Sequence, residues 1–207
     1  MFCMNSMPFL KPQIIMKFHL KTITILMAVN IVLFSCSKEE NLDTTPAITI
    51  PDANFKQALL DNDLINTNGD SKITELEAES FTGNIAASDA EIESVEGLEY
   101  FTNATRIALF SNELTTIDLS KNTEVTQLLL EHNNLTSIDI SMLSKLVDFK
   151  GHTNALRSAN IANGNNANMT RMEIQNNSDL ICIEVDSGEL TYEGWIKDET
   201  AIYCRED

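Results

Sequence analysis

The chain has few basic residues, and it lacks the sequence motifs of common hydrolase active sites. Lys and Arg number 14 against 31 Asp and Glu, which gives a formal net charge of −17. A protein this acidic repels phosphate backbones and anionic lipid, so the charge argues against nucleic-acid binding. The 207 residues contain no G-x-S-x-G elbow and no H-E-x-x-H zinc motif. The sequence therefore predicts that this protein is not an enzyme.

Long apolar runs are also scarce, and the run near the start is typical of an export signal. A basic segment, Met16–Lys21, precedes an apolar run from Ile23 to Phe34 that only Thr24 and Asn30 interrupt. This run is too short for a comfortable transmembrane helix, and its order is that of a secretory signal peptide. Residues 1–35 are therefore predicted to be an upstream extension, ending near Met16, followed by a signal peptide.

The end of this run, Leu33-Phe34-Ser35-Cys36, resembles a bacterial lipobox. The resemblance implies cleavage before Cys36, acylation of that residue and a stable membrane anchor. An ordinary signal peptide with a chance cysteine is the alternative. The following Lys38-Glu39-Glu40 resembles the signal that sends some Bacteroidetes lipoproteins to the outer face of the outer membrane. Residues 36–50 are predicted to be a lipidated tether, with an edge strand at Ala47–Ile50 as the alternative.

Only four cysteines are present, and two remain after the leader and the lipid site are set aside. These are Cys182 and Cys204. In an exported chain such a pair most often forms a disulfide, and the alternative, a metal pair, lacks further ligands at useful spacing. The disulfide is predicted to close a C-terminal cap over residues 181–207.

Between Thr82 and Leu180 the chain repeats with a period near 22 residues. Four of the five repeats carry Asn at their ninth position, which matches the L-x-x-L-x-L-x-x-N-x-L template of a leucine-rich repeat. A unit this short cannot close its own core, so the units must stack. The predicted fold class is an α/β solenoid of about five units over residues 82–180. The repeats begin at Thr82, Ala104, Val125, Leu146 and Met169, and the asparagines are Asn112, Asn133, Asn154 and Asn177.

The apolar positions of each unit are expected to point inward, and the Asn column is expected to satisfy buried backbone groups of neighbouring turns. Gly151 stands where Leu is expected, and Ala159 where Ile is expected. We therefore expect the fourth unit to be the least well packed. The expected inward residues are Ile85, Ala87, Ile92, Ile107, Leu109, Leu114, Leu128, Leu130, Leu135, Phe149, Leu156, Met172, Ile174 and Leu180.

Residues between the inward positions are expected to face solvent and to stack in rows across the strands. Exposed Phe110 and Leu129 have no evident structural reason, so they are predicted to centre a partner-binding face. A solvated face, with ion pairs from Lys150 to Asp148 or Glu173, is the alternative. The predicted contact residues are Arg106, Phe110, Gln127, Leu129, Glu131, Lys150, His152 and Arg171. A zinc site made of Glu131, His132 and His152 is a further alternative.

Residues 51–81 are predicted to form a helical cap with an EF-hand-like loop. Pro51–Leu60 has helical spacing, and Asp52 can cap it. The stretch from Asn66 to Glu77 follows the calcium-loop spacing, although Asn66 replaces the first carboxylate and Ser71 the turn glycine. The prediction is weak Ca²⁺ binding, with a degenerate, hydrogen-bonded loop as the alternative. The predicted ligands are Asn66, Asn68, Asp70, Lys72, Thr74 and Glu77.

Together, these segments resemble the small leucine-rich-repeat lipoproteins of Bacteroidetes. The segments that carry the resemblance are LFSC, IPDANFKQAL, NTNGDSKITELEAE, the repeats and the ending LICIEVD…W…C. The resemblance implies surface display on the outer membrane and binding or adhesion to a protein or glycan, without enzyme activity. A structural or assembly subunit of an outer-membrane complex is the alternative function.

Overall fold

Each repeat contributes one short strand at its central apolar segment, and these strands stack in register. In the computed structural model, which describes residues 45–187 and 194–205, these five strands and a sixth from the C-terminal cap form a six-stranded parallel sheet. Inward residues pair directly across it, as Ile107 does with Leu128 and Leu128 with Phe149. The strands, in spatial order, are β1 Asn84–Ala86, β2 Arg106–Ala108, β3 Gln127–Leu129, β5 Asp148–Lys150, β7 Arg171–Glu173 and β9 Trp195–Ile196.

The other side of the solenoid is also built from strands, which corrects the predicted α/β class. Here apolar and polar residues alternate, as in Ser137-Ile138-Asp139-Ile140, and a period of two suits a strand. The described repeats contain 3₁₀ turns at Leu98–Tyr100 and Asn166–Asn168 but no α-helix, so the array is a β-solenoid of about five turns. The second sheet is parallel and comprises β4 Ser137–Asp139, β6 Ser158–Asn160, β8 Cys182–Glu184 and β10 Ile202–Cys204.

The expected inward residues are all buried, and the Asn column joins neighbouring turns as predicted. Asn133, for example, donates to the carbonyl oxygens of Leu109 and Leu130 and accepts from the Leu114 N–H. The residue before each of these asparagines has a left-handed backbone, with φ between 55° and 60°. This conformation turns the chain at the end of the strand. The Asn that follows then forms hydrogen bonds with its own turn and with the neighbouring turn.

The expectation of poor packing in the fourth unit is wrong at Gly151. The ring of the fully buried Phe149 occupies the space that a side chain at Gly151 would need, because a Cβ there would lie 2.5 Å from Phe149 Cζ. Phe81 covers Gly83 in the same way, at 2.8 Å. A large side chain thus fills the place of the missing leucine.

At the N-terminal end, two helices cover the first turn. Helix α1, Ala53–Leu60, begins after Asp52, whose carboxylate accepts from the N–H groups of Asn54 and Phe55, as predicted. Helix α2, Glu75–Ser80, follows the loop and begins with a reciprocal pair of hydrogen bonds between Thr74 and Glu77. Ala47 forms an isolated antiparallel bridge with Thr74, and residues 47–50 contain no strand.

At the C-terminal end, Cys182 and Cys204 form the predicted disulfide, with their Cα atoms 5.7 Å apart. Trp195 pairs with Met172 in the sheet and meets the ring of Tyr203 edge-on. The predicted signal peptide, the predicted lipidation site Cys36 and the first part of the predicted tether lie outside the described residues. Within the described ranges, no helix has the length and apolar character needed to cross a membrane.

Candidate binding face

The outward face of the six-stranded sheet carries rows of polar and charged side chains. The strand register places Asn84, Arg106, Gln127, Asp148 and Arg171 side by side in one row. Four residues further along each segment, a second row contains Ser88, Phe110, Glu131, His152 and Gln175. Between the two rows lie Ala108, Leu129, Lys150 and Glu173. The structure thus brings all eight predicted contact residues onto one surface.

Charges on this face pair across neighbouring strands. Arg171 binds Asp148 through two hydrogen bonds, with Nε 2.7 Å from Oδ1, and these bonds raise the pKa of Arg171 against the opposing effect of desolvation. Lys150 Nζ lies 4.0 Å from Glu131 Oε1, and His152 Nε2 lies 4.0 Å from Glu173 Oε2. The predicted pairing of Lys150 with Asp148 or Glu173 is therefore wrong, although an ion-paired ladder exists.

The same face holds most of the buried polar atoms that lack a hydrogen-bond partner. Within residues 45–187 and 194–205 there are seven such side-chain atoms, and five of them lie here. A buried polar group without a partner costs about 1–3 kcal/mol, and native structures keep few of them. The face is therefore crowded with polar groups that do not saturate one another. The five atoms are Asn84 Oδ1, Ser88 Oγ, Arg106 Nε, Glu131 Oε2 and Gln175 Oε1.

The expectation that Leu129 and Phe110 form an exposed apolar centre is wrong for Leu129. Leu129 is only 8% exposed, and its cross-strand neighbours are Ala108 and Lys150. Phe110 is half-buried. Leu129 is covered because its row lies between two rows of neighbouring side chains. The surface open to a partner therefore consists of the charged and amide groups and part of the Phe110 ring.

The histidines of the face contact one another but do not form a metal centre. The rings of His132 and His152 meet edge-on with centroids 5.3 Å apart, and His152 Nδ1 lies 3.1 Å from Thr153 Oγ1. No group of three or more His, Cys, Asp or Glu side chains suited to a metal ion occurs in the part of the chain that the structure describes. The zinc alternative at Glu131, His132 and His152 therefore has no support.

The predicted calcium ligands all lie on the loop between α1 and α2 and at the start of α2. Asn68 Oδ1 accepts from the Asp70 N–H, and Asp70 Oδ1 accepts from the Lys72 N–H. The left-handed residue of the loop is Gly69, with φ of 69°, and not Ser71. Ser71 therefore does not adopt the left-handed backbone conformation that the calcium-loop pattern places at its position, and the predicted strain is absent there.

Sequence reasoning missed the carboxylates that close the ends of the solenoid. Asp52 Oδ2 accepts from the N–H groups of Glu93 and Ser94 in the first turn. At the other end, Asp198 accepts from the N–H groups of Asn176 and Asn177. Both aspartates saturate backbone groups that a further turn would otherwise satisfy. Their sequence context resembles an ordinary helix cap or an acidic tail, so no local signal separates them from other acids.

A second buried asparagine column on the other side of the solenoid was also missed. Asn122, which is fully buried, donates to the carbonyl oxygens of Leu98 and Phe101, and Asn163 donates to that of Leu143. These contacts span 20 to 24 residues and join successive turns. The sequence feature that could have indicated this column is a polar residue after the second apolar pair of a repeat. This polar residue recurs less regularly than the asparagines of the first column.

Solved structures that resemble this one include internalins of Listeria monocytogenes. InlF matches over 80% of this chain and 55% of its own length, with 22% sequence identity and a TM-score of 0.52. Two other internalins match less well. The functional domain of InlJ has 20% sequence identity, covers 69% of this chain and 39% of its own, and has a TM-score of 0.42. InlC2 has 16% sequence identity, covers 78% of this chain and 93% of its own, and has a TM-score of 0.40. No protein-family model and no curated protein matches the chain. The chain spans about half the length of InlF, and it has the leucine-rich-repeat fold that this internalin shares.

Proposed function

We propose that this protein is a lipid-anchored surface protein that binds a protein or glycan through the outward face of its six-stranded sheet. The observation that carries the proposal is the alignment, in register on one face, of the partly exposed charged and amide side chains of Arg106, Gln127, Lys150 and Arg171. A ligand rich in hydrogen-bonding groups would find several donors and acceptors there within one surface. Solenoids of stacked repeats commonly present such extended faces to partners.

Arg106 is the residue from which we expect the largest contribution. It is half-buried, its Nε has no partner within the described residues, and no carboxylate there lies within ion-pair distance. Arg171, by contrast, is already held by Asp148. Arginines that can form several hydrogen bonds in a desolvated setting often dominate an interface, and their truncation costs about 2 kcal/mol or more.

The anchor is part of the same proposal and is supported by the lipobox-like segment ending at Cys36. Acylation there would tether the solenoid to the outer membrane, and Lys38-Glu39-Glu40 would direct it to the outer face. The proposal includes no enzyme activity. A permanently assembled subunit of an outer-membrane complex is the second candidate, because it would also cover the polar face.

One experiment tests face and anchor together. Cells and purified protein are applied to immobilised matrix proteins and to a glycan array. Arg106→Glu should weaken binding by about 30-fold or more, whereas Lys121→Glu, the same charge change at an exposed site on the other side, should not. Cys36→Ala should release the protein from the membrane fraction and abolish binding by cells, but not by purified protein.

Two outcomes would count against the proposal. If Lys121→Glu alone weakens binding, the face is wrongly assigned. If the folded wild type binds nothing on either array but cross-links in stoichiometric amounts to one membrane neighbour, the assembly function replaces it.

A further inference from the structure

The loop between α1 and α2 encloses two buried side chains, one with an oxygen that lacks a hydrogen-bond partner and one with a charge that lacks a counter-charge among the described residues. Asn66 is only 7% exposed; its Nδ2 donates to the carbonyl oxygens of Leu60 and Asp70, at 3.2 and 3.0 Å. Its Oδ1 is buried and has no partner in the part of the chain described. An unpartnered buried carbonyl oxygen is rare, and a cation bound in the loop would satisfy it.

Glu77 is the second such side chain. It is 6% exposed, and its carboxylate accepts only from the neutral N–H and hydroxyl groups of Thr67 and Thr74. Within the described ranges, no Lys, Arg or His nitrogen forms an ion pair with it. Buried glutamates are almost always paired with a cation or coordinate a metal, so the missing charge points to an ion.

The donors around these two groups are hard oxygens at the spacing that Ca²⁺ loops use. Asn66, Asn68 and Asp70 alternate along the chain, the Lys72 carbonyl follows, and Glu77 closes the loop. Asn68 Oδ1 and Asp70 Oδ1 each accept one backbone N–H, Asp70 Oδ2 accepts from Asn68 Nδ2, and each of these oxygens retains a free lone pair. With only two carboxylates, such a site binds weakly, in the millimolar range known for extracellular modules.

The loop is attached on both sides to the rest of the fold. Ile73 O accepts from the Ile48 N–H at 2.9 Å, and Asn103 Nδ2 donates to Glu79 O at 2.8 Å. The ring of Phe81, directly after α2, meets Phe101 of the first turn edge-on. We infer that residues 66–77 form a weak calcium site whose ion holds the helical cap on the first turn of the solenoid.

The first measurement compares the mature chain in 10 mM CaCl₂, in EGTA and in MgCl₂ at matched ionic strength. Binding to the folded form alone multiplies the folding equilibrium constant by 1 + [Ca²⁺]/Kd, about 11-fold at ten times Kd. Melting temperature should rise in calcium and less in magnesium. Hydrogen exchange should slow in the cap and around Ile85 and Ile92, but not in the last turn. Equal melting in calcium and EGTA would overturn the inference.

Matched variants separate this site from general binding to an acidic surface. Glu77→Gln should abolish the calcium effect, whereas Glu79→Gln, an exposed residue on the same helix, should leave it intact. Asn66→Asp adds the missing carboxylate and should tighten calcium binding at least tenfold, as measured by calorimetry. This variant tests the site even if Glu77→Gln fails to fold. A calcium effect that is equal in all these variants would place the ion elsewhere and contradict the inference.

Discussion

Phe149 and Gly151 are a compensating pair within the fourth turn. The phenylalanine ring is fully buried and lies where the side chain of residue 151 would otherwise point. Interiors are packed nearly as densely as organic crystals, so one large and one absent side chain can replace two of intermediate size. This explains how a repeat that departs from the template at Gly151 keeps its core closed.

Gly151→Leu is expected to destabilise the protein by about 1–3 kcal/mol, because its Cβ would lie 2.5 Å from Phe149 Cζ. Phe149→Leu alone should also destabilise, by leaving a cavity. The double variant restores the template residues and should be more stable than the sum of the single changes predicts. Urea unfolding of the four proteins measures this coupling, expected at about 0.5–3 kcal/mol. Strict additivity would show that the two positions do not share space.

Helix α1 is joined to the repeats through the carboxylate of Asp52. One oxygen caps the helix, while the other accepts from Glu93 and Ser94 in the first turn. Burial acts to raise the pKa of Asp52, but the backbone N–H groups of Phe55, Glu93, Ser94 and Asn54 together lower it below its ordinary value. The ionised carboxylate is therefore the form that stabilises the junction between cap and solenoid.

Because the folded-state pKa of Asp52 is depressed, its contribution is complete above the unfolded pKa of about 3.9 and is lost as pH falls through the folded value. Asp52→Asn removes the charge and should lower the melting temperature at pH 7. The difference from wild type should shrink below about pH 4, where the wild-type carboxylate also becomes protonated.

Asp63→Asn is the control, since it makes the same charge change at an exposed position beyond α1. A pH-independent difference between wild type and Asp52→Asn would contradict the role of the charge. Asp52→Ala should lose the cap as well, at a cost of about 0.5–2 kcal/mol.

Stacked turns make this molecule nearly one-dimensional in its energetics, since each turn contacts mainly its two neighbours. The disulfide lies at one end of this array and joins residues 22 positions apart, which is one repeat. It links strands β8 and β10, adjacent in the second sheet. Its loss should therefore affect the C-terminal turns first.

The variant with both Cys182→Ala and Cys204→Ala is expected to lose about 3 kcal/mol in the chain-entropy account. Hydrogen exchange should accelerate in β8, β10 and the neighbouring turn, while protection around Ile85 and Ile107 stays unchanged. Reduced wild type should behave in the same way. Loss of protection spread evenly over all turns would mean that the solenoid unfolds as one cooperative unit.

Features that recur every 21–23 residues were predictable from the sequence, because every repeat needs apolar residues and an asparagine at the same positions. These features include the solenoid, its inward residues, the Asn column and, from the cysteine count of a chain predicted to be exported, the disulfide. The eight predicted contact residues also share one face, as the period of two along each strand requires.

Other features depend on side chains that stacking brings together from about 20 residues apart, and they became visible only in the folded chain. Leu129 is covered by neighbours from adjacent strands, and Asp52 and Asp198 replace missing turns at the two ends. Phe149 fills the space at Gly151, although neither residue alone indicates this. The physical reason is common to all of them. Burial and hydrogen bonding depend on atoms from neighbouring turns, whereas the repeating pattern of apolar residues and asparagines can be read within the sequence of each turn.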